Sequence, residues 1–106
     1  MHENIAILRH AVAVGRVQWQ SHALSRCLER GITRSEVLQA MLTGEVIEVY
    51  AEDRPYPSCL ILSRATQPLH VVAAVDPQAL QTHIITAYRP DAAHFHDDWK
   101  TRRKHQ

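Results

Sequence analysis

At 106 residues, 45% of them hydrophobic and 22% charged, the chain has the length of one domain and the composition of an ordinary globular one. The longest apolar runs, residues 11–14 and 71–75, fall far short of a bilayer span, and Met1-His2-Glu3-Asn4 lacks the basic opening of a signal peptide. Disorder and a membrane helix are thereby excluded, and a cytoplasmic single domain over residues 1–106 is expected, with a polar, basic tail from about residue 92.

The net charge of +1 is unevenly laid out. Residues 1–34 carry five arginines against two glutamates, residues 35–99 three arginines against nine acids, and residues 100–106 four cations. Two basic ends that met in space would form a face suited to a phosphate backbone. Cys27 and Cys59 form no C-x-x-C motif and read as small buried hydrophobes.

In chain order, residues 3–14 read as a first helix with Ile5, Leu8 and Val12 on one stripe, closed by Gly15. Residues 16–20 alternate and suggest a short strand. Ser21 suits the N-cap of a helix from His22 to about Arg30, with Ala23, Leu24, Cys27 and Leu28 inward and Gly31 as its stop. Thr33 and Glu36 have capping-box spacing for a third helix, to Thr43, with Val37, Leu38, Met41 and Leu42 inward and Gly44 as its cap. The period then changes to two. Strands are expected at residues 45–50, 58–63, 69–75 and 82–88, the third being the most apolar and therefore central. Consecutive strands joined by short turns make an antiparallel sheet. The fold class is α+β: N-terminal helices on one face of a four-stranded antiparallel sheet, five-stranded if residues 16–20 join.

The sharpest chemical constellation is His22, Arg26 and Arg30, spaced four and four on the polar side of the second helix. Guanidiniums grip phosphate with paired hydrogen bonds, and an imidazole moves protons near neutral pH. His70 interrupts an apolar strand whose core face is Leu69, Val71, Ala73 and Val75, so it points away from the helices and needs a partner or a purpose. A register pairing Ala74 with Ile84 sets Tyr88 across from His70, and a one-residue slip turns it away. Tyr50 is a weaker candidate of the same kind. His94 and His96 have the spacing of two metal ligands, but the pattern fixes no third, so no metal or other cofactor is expected. Arg89, Lys100, Arg102, Arg103 and Lys104 are candidate RNA contacts. Three glycines leave no room for a nucleotide-cofactor loop.

Five ordered blocks carry a resemblance: residues 22–32 (HALSRCLERGI), 44–50 (GEVIEVY), 55–60 (PYPSCL), 68–72 (PLHVV) and 84–91 (IITAYRPD). Over residues 15–103 the chain resembles a bacterial family of small proteins filed as a domain of unknown function. In layout that family is similar to the RelE/ParE-type toxins. The resemblance implies a RelE-like fold, a type II toxin acting as a metal-independent endoribonuclease on mRNA, on or off the ribosome, and a cognate antitoxin, with a zinc finger, as partner. On side-chain chemistry, His22 and His70 then share the roles of base and acid in either order, with Arg26 and Arg30 on the phosphate and Tyr88 orienting it. Two alternatives stand beside it: a non-catalytic module binding nucleic acid or protein, and a toxin with a non-RNA target such as gyrase.

Overall fold

The computed structural model describes residues 2–104. The elements are α1 (His2–Ala13), β1 (Val17–Trp19), α2 (Ala23–Glu29), α3 (Arg34–Thr43), β2 (Glu45–Tyr50), β3 (Ser58–Ser63), β4 (Leu69–Asp76) and β5 (Gln81–Tyr88). No helix among the described residues is long and apolar enough to cross a membrane.

The sheet has five strands in the order β1-β5-β4-β3-β2, with β4 at its centre. β2 to β5 form the expected antiparallel run. β1 joins as a fifth strand and runs parallel to β5, Val17 beside Thr82 and Trp19 beside Ile84. The sheet is therefore five-stranded and mixed, which corrects the expectation that it is antiparallel throughout. A short turn dictates strand direction only between sequence neighbours, and no hairpin joins β1 to β5. The Arg16 side chain reinforces that join, its guanidinium donating to the Leu80 and Ala79 carbonyls at 3.1 and 2.8 Å.

The helix ends follow local chemistry, with two corrections. Gly15 and Gly31 take the left-handed conformation (φ 80° and 68°) that ends α1 and α2 without a Cβ penalty. The Thr33–Glu36 capping box is formed on both sides, a device worth about 1 kcal/mol. Ser21 does not cap α2; His22 holds that position and makes no side-chain cap bond. Leu28 does not face inward but is 82% exposed, because the buried stripe of this short helix is Ala23 and Cys27, four residues apart.

One face of the sheet carries the helices. Leu8 and Val12 from α1, Cys27 from α2 and Val37 and Met41 from α3 pack in one cluster with Ile61, Leu69, Val71, Ala73, Val75 and Ile84. Cys27 and Cys59 are both buried and free, and burial pushes the Cys59 thiol up to about 11.

The opposite face consists of three cross-strand rows: Leu62, His70 and Tyr88; Glu48, Leu60, Val72 and Thr86; and Tyr50, Ser58, Ala74 and His83. Residues 91–104 fold back over the first two as a strap. Within it His96 N–H donates to the Thr101 carbonyl and Arg103 N–H to the His94 carbonyl, with Phe95 bridged to Arg102. Phe95 is 3% exposed and meets the His70 ring edge-on at 4.7 Å. The strap's anchor is thus Phe95, and Trp99 is only half-buried.

Candidate active site

Beside the strap, Ala74 and His83 of the third row line a cleft of about 610 Å³. Ala74, His83, Ile85 and Thr86 lie at the bottom. The β1–α2 turn (Gln20, Ser21, His22) and Arg26 form one wall, and the β2–β3 loop (Asp53, Arg54, Pro55, Tyr56) the other. The imidazoles of His22 and His83 and the guanidiniums of Arg26 and Arg54 therefore share one recess.

His83 is the unusual member. Its ring stacks on Tyr56 with centroids 5.2 Å apart and planes 14° from parallel. Its Nε2 is buried without a hydrogen-bond partner. An unpaired buried polar atom costs about 1–3 kcal/mol, and such atoms in a folded protein call for an explanation. The Asp76 carboxylate beside Tyr56 pushes that phenol up. Asp76 itself accepts from Gln78 N–H and Ala79 N–H, both at 3.1 Å, and the Ala79 bond leads in holding its carboxyl below the usual range.

The trio read on α2 is divided. His22 and Arg26 line the cleft. Arg30, at the C-cap of α2, donates to the Ala87 carbonyl at 2.7 Å and to Thr86 Oγ1 at 3.4 Å, tying the helix to β5.

His70 and Tyr88 do face each other, His70 Nδ1 lying 3.2 Å from Tyr88 Oη, but a bulge brings them into register. Ala74 pairs with His83 rather than Ile84, and the shift between Val72 and Ala73 restores His70 to Tyr88. His70 is 0% exposed, with Nε2 on the Trp99 carbonyl at 2.6 Å. Burial, the largest influence, lowers its pKa, and the nearby Arg102 acts the same way. Burial likewise raises the Tyr88 phenol. Tyr50 donates to Glu48, and burial and that bond push its phenol up to about 12. None of His70, Tyr88 and Tyr50 lines the cleft.

Four of the five candidate RNA contacts are engaged within the fold. Arg89 pairs with Glu36 at 2.5 Å, so Glu36 serves the capping box and β5 at once. Lys100 pairs with Glu45 at 2.8 Å. Arg102 grips both oxygens of Glu48, at 2.8 and 3.1 Å, and lies over the Phe95 ring. Arg103 donates to the Ala92 and Phe95 carbonyls. Lys104 has no such partner among the described residues. Lys100 and Arg102 of the basic tail are therefore matched to acids of β2. His94 sits 2.7 Å from Asp91, and no group of three or more His, Cys, Asp or Glu among the described residues is placed to hold a metal ion.

Sequence reasoning missed His83, Tyr56 and Arg54. His83 had the same signal as His70, a histidine inside an apolar strand, and Tyr56 sits between two prolines in one of the five blocks.

Residues 19–89, most of the chain, match the family described as "Domain of unknown function (DUF4258)". The match runs from the last residue of β1 to just past the end of β5 and so contains the cleft. No curated protein and no solved structure matches the chain.

Proposed function

The chain belongs to the DUF4258 family, and we propose that it is a metal-independent endoribonuclease working from the cleft, in the manner of a type II toxin. The observation that carries this reading is the gathering of two imidazoles and two guanidiniums in one recess, with a ring nitrogen of His83 left unpaired. Cleavage of RNA without a metal needs a base, an acid and a cation on the phosphate. One histidine of the His22–His83 pair takes the proton of the 2′-hydroxyl. The 2′-oxygen attacks phosphorus, the bond to the 5′-oxygen breaks, and the other histidine protonates that leaving oxygen. The products are a 2′,3′-cyclic phosphate and a 5′-hydroxyl end. Arg26 and Arg54 stabilise the charge on the crowded phosphate.

In this assignment His83 takes the place read for His70, whose two ring nitrogens are both engaged beneath the strap. Arg30 and Tyr88 act as supports. The similarity to RelE/ParE toxins is proposed from layout alone, three helices and an α+β sheet, and fold-level likeness is analogy. The antitoxin partner is part of the same proposal.

The test is to express the protein without an antitoxin and map new RNA 5′ ends, beside a His22→Ala/His83→Ala double variant. New 5′-hydroxyl ends that vanish in the variant are expected. Intact RNA with arrested growth would point instead to another target, and intact RNA with normal growth to a binding module.

A further inference from the structure

The irregularity in β5 delivers an apolar side chain to the cleft. Val72 pairs with Thr86 and Ala73 with Ile84, so Ile85 has no partner across the strand. A bulge turns its extra residue out of the regular alternation. Ile85 ends 38% exposed and lines the cleft, whose wall also carries Tyr56 and Pro55. Holding a large aliphatic side chain in water forgoes the stabilisation its burial would bring. The backbone nonetheless departs from regular pairing to place it there.

The rim has the opposite character. Arg9, Arg16 and Arg30 all donate to main-chain carbonyls of other elements. The guanidinium of Arg26 has no hydrogen-bond partner among the described residues, although it lines the cleft. Arg54 reaches only the carbonyls of Glu52 and Asp53 on its own loop, at 3.2 and 3.4 Å. An unengaged guanidinium above an apolar wall matches a ligand that joins a phosphate to a flat ring. The strap closes the same sheet face on the other side of the cleft, so a ligand enters locally and does not lie along the sheet.

We infer that the cleft receives one unpaired nucleotide of single-stranded RNA, its base against Ile85 and Tyr56 and its phosphate on Arg26 and Arg54. The choice of RNA rests on the ribonuclease reading; the strandedness and the base pocket are new. A base inside a duplex has its faces stacked and its edge paired, and cannot reach Ile85 without being flipped out. An unpaired base offers a free face to an apolar or aromatic side chain.

Binding, separated from cleavage, tests this. The probe is a short fluorescein-labelled 2′-O-methyl RNA, which lacks the attacking hydroxyl, alone or annealed to its complement, followed by anisotropy at fixed salt. The single strand is expected to bind at least about tenfold tighter than the duplex, and Ile85→Ser to weaken it about tenfold, the range for losing one base contact. Arg26→Ala should weaken binding and flatten its salt dependence. Ile85 is 38% exposed, so Ile85→Ser should stay folded with only a modestly lowered melting point, and Tyr56→Leu provides a second variant of the same wall. Equal binding of duplex and single strand overturns the inference, as does an Ile85→Ser protein that binds like wild type. Absence of binding to either probe also overturns it and leaves the cleft to a protein ligand. Should cells show no new RNA ends while the single strand still binds with this pattern, ribonuclease activity is excluded and the nucleotide pocket stands. New ends together with equal duplex binding give the reverse result.

Discussion

The Nε2–H of His70 donates to the main-chain carbonyl of Trp99 across 2.6 Å, joining the central strand to the strap. A carbonyl oxygen only accepts, so Nε2 carries the proton and the unprotonated Nδ1 accepts from the Tyr88 hydroxyl at 3.2 Å. The ring also meets Phe95 and Tyr88 edge-on. Neutral His70 is thus satisfied at every polar atom, as a histidine must be to sit at 0% exposure in an apolar row.

The stability of the strap should therefore fall in mild acid. Burial lowers the His70 pKa from its ordinary value of 6.5, and Arg102 lowers it further against the opposing pull of Glu48 and the Trp99 carbonyl. The unfolded chain then binds the proton more readily than the folded one. The contribution of His70 is complete above pH 6.5 and is lost as pH falls from there through the folded value. Urea midpoints at a series of pH values should decline below 6.5 in the wild type and decline less in His70→Gln. Parallel curves for the two proteins would rule out His70 as the responsible group.

The strap should be held by its ring more than by its charges. Phe95 is 3% exposed and packs on His70, and Phe95→Ala should cost about 3 kcal/mol. The Lys100–Glu45 pair is exposed on both sides, and surface pairs of that kind contribute little. Lys100→Ala should leave the unfolding midpoint nearly where it was, with a small effect that fades in salt. Hydrogen exchange at residues 94–103 should speed up in Phe95→Ala and stay unchanged in Lys100→Ala. The opposite ranking would make the strap an electrostatic device.

Much of the architecture was legible because it is written in short-range patterns. The capping box at Thr33–Glu36, the inward face Leu69, Val71, Ala73 and Val75, and the four later strands all follow from periodicity and local hydrogen bonding. What escaped depends on partners far along the chain. The direction of β1 is set by β5. The tail reads as polar because its one buried ring, Phe95, finds its cover on β4. Arg30 and Arg102 look like free cations until Ala87 and Glu48 are brought to them. The cleft needs a histidine, an arginine loop and a turn from three separate segments, so His22 and Arg26 were visible on α2 while His83 and Arg54 were not.

Gly44 caps α3 as its sequence position predicts, its N–H donating to the Ala40 carbonyl at 2.7 Å, and the structure gives glycine there a second reason. Its φ is −74°, which any residue adopts, but a Cβ there would lie 2.5 Å from the Ala40 carbonyl oxygen, 2.6 Å from Ile61 Cγ2 and 2.8 Å from the Leu62 carbonyl oxygen. Two of these three atoms are backbone and cannot swing aside. Gly44→Ala should lose roughly 1–3 kcal/mol, at the upper end for overpacking. Gly31→Ala meets nothing within 4 Å and should lose only the left-handed backbone cost, about 1 kcal/mol. Chemical denaturation of the two variants separates crowding from conformation, and equal losses would exclude the steric account of Gly44.

The division of the sheet face into a sealed half and an open half predicts opposite behaviour for its two histidines. His83 keeps an unpaired Nε2 in the cleft, so His83→Ala removes a buried polar group that pays no hydrogen bond back. Relief of the unpaired Nε2 offsets part of the lost stacking on Tyr56, so the midpoint should fall only modestly, while RNA cleavage falls about 10²–10⁴-fold, the range for losing a general acid or base. His22→Ala, at the exposed mouth, should lose cleavage to the same degree with no change in stability. His70→Gln should do the reverse, lowering the midpoint and slowing cleavage less than about tenfold, since it holds the strap and touches no substrate. Purified protein in excess chelator, with cleavage followed on single-stranded RNA and folding followed by urea titration, measures both quantities on the same samples. A His70→Gln protein that stays folded yet loses cleavage as completely as His83→Ala would move the chemistry beneath the strap.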